Sequence, residues 1–136
     1  MKSLIIAITV LASMSCYAEK TIYQESYTKD TCMVIHTHRN GFDMYDLYSS
    51  PNLFGTKFQA TATLNNNNVT LEGTKWESFC SNGALASHTS DQISVQCSDI
   101  NEGMMVIKQN KEGALREVSF ISQNETVLCR NLLKTN

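Results

Sequence analysis

The clearest regularity along the chain is a period of two. Phe58, Ala60, Ala62 and Leu64 alternate with Lys57, Gln59, Thr61 and Thr63, the pattern of a strand with one face buried and the other wet. Four asparagines follow, and Val69 and Leu71 resume the alternation. Residues 57–72 therefore read as a hairpin turned by asparagine, whose side chain bonds locally and tolerates left-handed backbone. Ile93, Val95 and Cys97 alternate with Gln92, Ser94 and Gln96. Residues 104–108, 115–121 and 126–132 read as further strands, separated by polar turns at 98–103, 109–113 and 123–125. Upstream, residues 21–27, 31–38 and 42–48 also read as extended. Helical spacing is nearly absent, and residues 49–56 read as a loop. About eight short strands spaced near ten residues apart predict an all-β fold, a small antiparallel β-barrel or β-sandwich.

The first residues break this pattern. Lys2 precedes an apolar run from Leu4 to Ala12, and Cys16 and Ala18 stand three and one residues before a cut after Ala18. This is the organisation of a cleavable signal peptide over residues 1–18, with residues 19–136 as a single β-rich domain. The apolar run falls well short of the roughly 20 residues that span a bilayer, and no later segment is apolar enough to do so. The expected location is the periplasm or the external medium. A lipoprotein acylated at Cys16 is the alternative, although Ser13-Met14-Ser15 lacks the large apolar residue such signals carry ahead of the cysteine.

Cysteine usage fits export. Beyond the leader stand Cys32, Cys80, Cys97 and Cys129, an even number with no C-x-x-C spacing, which favours disulfides over a structural zinc site. Three pairings are open from sequence alone. A closed barrel makes its first and last strands neighbours, which favours Cys32–Cys129 with Cys80–Cys97. Such bonds would staple a core too small to be robust alone.

Charge excludes some partners. The chain has 11 basic and 13 acidic residues, without a basic run to track a phosphate backbone, so nucleic acid is not an expected partner. No charge block suggests a helix lying on a membrane.

Candidate chemistry is sparse. His36-Thr37-His38 places two imidazoles on one face of a strand, where both can meet one zinc ion, with Asp43, Asp46 or His88 as a third ligand. Otherwise no cofactor is expected. Leu53 and Phe54 in the loop at 49–56, with Tyr45, Tyr48 and Trp76, are candidates for a sticky patch that binds a protein. No G-x-S-x-G elbow occurs. Glu72 and Glu77 read as solvated surface charges, and oxidised cysteines leave no thiol nucleophile. Asn68-Val69-Thr70 and Asn124-Glu125-Thr126 fit the glycosylation pattern but read as turn asparagines.

These readings converge on an exported, non-catalytic binding or inhibitory protein that acts on a protein partner through its loops or a barrel mouth. The alternatives are a metal-binding protein or metal-dependent hydrolase centred on His36 and His38, and a carrier of a small apolar ligand.

Overall fold

The asparagine-turned hairpin forms as the alternation predicts. Strands β4 (Lys57–Asn65) and β5 (Asn68–Gly73) pair antiparallel with Asn65 opposite Asn68. Asn66 takes the left-handed backbone, φ 52°, which asparagine adopts more readily than most residues. Ala60, Ala62 and Leu71 are fully buried and face the core, while Gln59 and Thr61, on the face expected to be wet, are buried as well. The structure is a computed structural model that describes residues 18–25, 32–49, 57–66, 68–73, 80, 83–123 and 126–135. Residues 1–17 of the expected leader lie outside the described residues, as do Leu53, Phe54 and Trp76.

Among the described residues, eleven strands make two antiparallel sheets. The first has the order β11-β1-β2-β3-β4-β5, with β1 (Glu19–Glu25), β2 (Cys32–Arg39), β3 (Phe42–Ser49) and β11 (Leu132–Thr135). The second has the order β10-β9-β8-β7-β6, with β6 (Ala84–His88), β7 (Gln92–Cys97), β8 (Met104–Gln109), β9 (Leu115–Ile121) and β10 (Thr126–Cys129). Chain order is spatial order except at the end, where β11 returns to pair with β1. No ladder joins the two sheets among the described residues. One core unites them: Val34, Leu47 and Leu71 from the first pack with Val95, Met105, Ile107, Val118 and Phe120 from the second, all inaccessible to solvent.

The expected count of about eight strands is too low, for two physical reasons. The expected strand at 126–132 is two strands. Asn131 turns to φ 52° and sends β10 and β11 to different sheets. The strand Ala84–His88 lies in a stretch that reads as polar. It is an edge strand whose side chains are mostly exposed, so backbone pairing with β7 sustains it without apolar alternation. The polar turn at 98–103 contains a short 3-10 turn, Ile100–Glu102, capped by the Asp99 carboxylate.

Two disulfides fix the arrangement. Cys32 bonds Cys129 with Cα atoms 5.7 Å apart, and Cys80 bonds Cys97 with Cα atoms 5.1 Å apart. The first ties the start of β2 to the end of β10. It thus fastens one sheet to the other rather than sealing neighbouring strands of a closed wall. On the chain-entropy account, loops of these sizes contribute about 4.7 and about 3 kcal/mol.

A candidate metal-binding site at one end of the first sheet

The register of β2 and β3 creates the site. Asn40 and Gly41 form a two-residue turn, with Gly41 at φ +76°, a conformation glycine adopts without penalty. Arg39 then stands opposite Phe42, His38 opposite Asp43, His36 opposite Tyr45 and Val34 opposite Leu47. Directly opposed residues share a face. Because Val34 and Leu47 are fully buried, this is the core face. Along it the row runs outward from an apolar pair, through His36 and Tyr45, to His38 and Asp43 beside the turn. A hydrogen bond of 2.9 Å from the Asn66 amide to the Gly41 carbonyl clasps this tip to that of the β4–β5 hairpin.

Both imidazoles converge on one oxygen. His36 Nε2 and His38 Nδ1 each lie 2.8 Å from Asp43 Oδ1. The side chains become more accessible towards the tip, at 16% for His36, 33% for Asp43 and 55% for His38. His36 is held flat against Tyr45, with ring centroids 4.4 Å apart and planes within 10°. Burial, reinforced by the nearby Asp43 carboxylate and by Tyr23, pushes the Tyr45 phenol well above its ordinary range. The flat contact makes Tyr45 a platform for His36.

The three groups fit a small transition-metal cation. One ligand atom from each of His36, His38 and Asp43 lies within 4.8 Å of the others. A tetrahedral centre with bonds of about 2.0–2.1 Å sets its ligands about 3.3 Å apart. The two nitrogen–oxygen distances of 2.8 Å need to open by about 0.5 Å, and the two nitrogens, within 4.8 Å of each other, need to settle at the same edge length. A carboxylate oxygen only accepts, so each of these ring nitrogens donates to it, and binding a metal would require each to give up that hydrogen to the other ring nitrogen or to solvent.

The other expected third ligands are elsewhere. Asp46 opposes Ile35 on the reverse face of the sheet, where its Oδ1 accepts from the Thr61 hydroxyl at 2.5 Å. His88 is exposed on β6 of the second sheet and is not one of the grouped ligands. Tyr45, expected in an exposed binding patch, is 2% exposed and belongs to the core, because its parity along β3 matches Leu47. Tyr48 has the opposite parity and is half-buried on the other face, where burial and Asp46 raise its phenol above the ordinary value.

A second concave feature lies towards the far end of the molecule. Lys108, Arg116, Glu117 and Arg130 line an open cleft of about 890 Å³. Glu117 pairs with Lys108 at 3.3 Å and with Arg130 at 3.9 Å. Nearby, the Arg130 amide donates to Glu25, at the opposite end of β1 from the strand end that faces His38. Compared with protein-family models, curated proteins and solved structures, the chain has no match in any of the three.

Proposed function

We propose that this is an exported, non-catalytic binding protein whose ligand is a divalent d-block cation, zinc foremost, held by His36, His38 and Asp43. The observation that carries the reading is the convergence of two imidazole nitrogens on a single carboxylate oxygen at 2.8 Å. Two nitrogen donors and one carboxylate suit zinc, copper or nickel. They do not suit calcium or magnesium, which take all-oxygen shells. Two disulfides are consistent with an oxidising compartment, and with the leader at residues 1–18 they support a periplasmic or secreted location. The meander order, with β11 returning to β1, favours a flattened barrel with the site at one mouth. The preference for binding over hydrolysis comes from the sequence, where no catalytic constellation stands out. A carrier of apolar ligands finds less support, since Phe120, Leu47, Leu71, Met105 and Ile107 fill the space between the sheets.

The test is zinc retention by the processed protein. After loading and dialysis, the wild type should keep one equivalent. His36→Ala, His38→Ala and Asp43→Asn should each lose it, while His88→Ala keeps it. A wild type that retains no zinc, or His36 and His38 variants that retain as much as wild type, would refute the proposal.

A further inference from the structure

Three protein ligands leave a tetrahedral cation one position short, and the same strand row offers a fourth donor. In the β1–β2 ladder Glu19 stands directly opposite His38. His38 is therefore flanked on the core face by Glu19 from β1 and Asp43 from β3. Directly opposed side chains start about 4.5–5.5 Å apart at Cβ, and a glutamate has two further methylene-length steps with which to close that distance. Glu19 is exposed, and among the described residues its carboxylate has no ion-pair partner. It lies outside the group gathered within 4.8 Å, so the carboxylate has to swing towards His38 to join it.

Two considerations, the expected cut and the count of charges, give Glu19 that freedom and a reason to use it. The expected cut hydrolyses the Ala18–Glu19 peptide bond with water, leaving a carboxylate on Ala18 and making Glu19 the first residue of the processed chain. A terminal strand residue is held from one side only. Charge gives a reason as well. Two neutral imidazoles and two side-chain carboxylates offset the two charges of a divalent ion, whereas Asp43 alone offsets one of them in a partly buried place.

We infer that Glu19, at the head of the processed chain, supplies the fourth ligand through its carboxylate. This rests on the metal-binding reading above. It makes β1 more than scaffolding: its first residue closes the shell that β2 and β3 begin.

The experiment measures zinc affinity by chelator competition on protein recovered after export, with the N-terminus verified by mass spectrometry. Three chains are compared: wild type, Glu19→Gln, and a chain with two glycines inserted between Ala18 and Glu19. Glu19→Gln should weaken zinc binding by about tenfold or more. The insertion moves the terminal amine away but keeps the Glu19 side chain in register, so it should bind as wild type does. Equal affinity in wild type and Glu19→Gln overturns the inference while leaving the metal-binding reading intact. Loss in the insertion chain without loss in Glu19→Gln also overturns it, and assigns the donor to the amine instead. A wild type without zinc affinity overturns both. Circular dichroism matched across the three chains shows that folding is not what differs.

Discussion

Removing the bond between Cys32 and Cys129 should cost more stability than removing the bond between Cys80 and Cys97, by an amount the loop lengths set. The two pairs are separated by 97 and 17 residues. Chain entropy scales as three-halves of RT times the logarithm of loop size, so the ratio gives a difference of about 1.5 kcal/mol at 25 °C. Burial does not blur the comparison, because all four cysteines are at most 7% exposed, and replacing each pair by alanine removes similar buried sulfur. The absolute losses should be about 4.7 and about 3 kcal/mol, large fractions of the 5–15 kcal/mol typical of a domain. The assay is urea unfolding followed by far-ultraviolet circular dichroism on the two double-alanine variants, each retaining the other bond. The same order should appear as a melting temperature lower by several degrees in the variant lacking Cys32–Cys129. Equal losses, or the reverse order, would refute the view that this bond acts mainly by tying distant parts of the unfolded chain together.

Two other perturbations follow from the site's surroundings. Gly41→Ala should destabilise the fold by about 1–2 kcal/mol in the same urea assay, because Gly41 has φ +76° and a Cβ there would meet Asn66 Oδ1 at 2.6 Å; Gly113→Ala, with open space around it, should cost less. Tyr45 should make stability fall as pH rises above about 10: the unfolded phenol ionises there while the folded one, raised by burial, keeps its proton, so the folded state binds more protons and loses its advantage as pH climbs. Tyr45→Phe should flatten that part of the pH–stability curve, and an unchanged slope would count against the buried neutral phenol.

Much of this was readable from residue order, and the misses have identifiable causes. The β4–β5 hairpin was legible because its small apolar residues alternate cleanly and its turn is all asparagine. Strand β6 was not, since Leu85, Ala86, Ser87 and His88 are exposed and only Ala84 packs against the core, so ladder bonds carry most of the strand. The break between β10 and β11 was hidden inside one expected strand, where Arg130 and Asn131 are the polar residues that hinted at it. The cysteine partners were legible, but through a picture of neighbouring strands, whereas the Cys32–Cys129 bond crosses between sheets. At the site, the histidine pair was plain and the choice of carboxylate was left open. Counting back from a two-residue turn at Asn40–Gly41 would have closed it, since that register sets 38 opposite 43 and 35 opposite 46. The same count would have shown Tyr45 sharing a face with His36 and Leu47, and so buried. Glu19 gave no local signal, because its place beside His38 depends on how β1 pairs.

The most direct measurement of the central claim is a long-range proton–nitrogen correlation spectrum of the histidine rings, recorded as zinc is added to one equivalent. His36 Nε2 and His38 Nδ1, the two nitrogens that face Asp43 Oδ1, should shift together and saturate at one ion per chain, while His88 stays unchanged. Ring nitrogens of His36 and His38 that do not move, or that move only in step with His88, would contradict it.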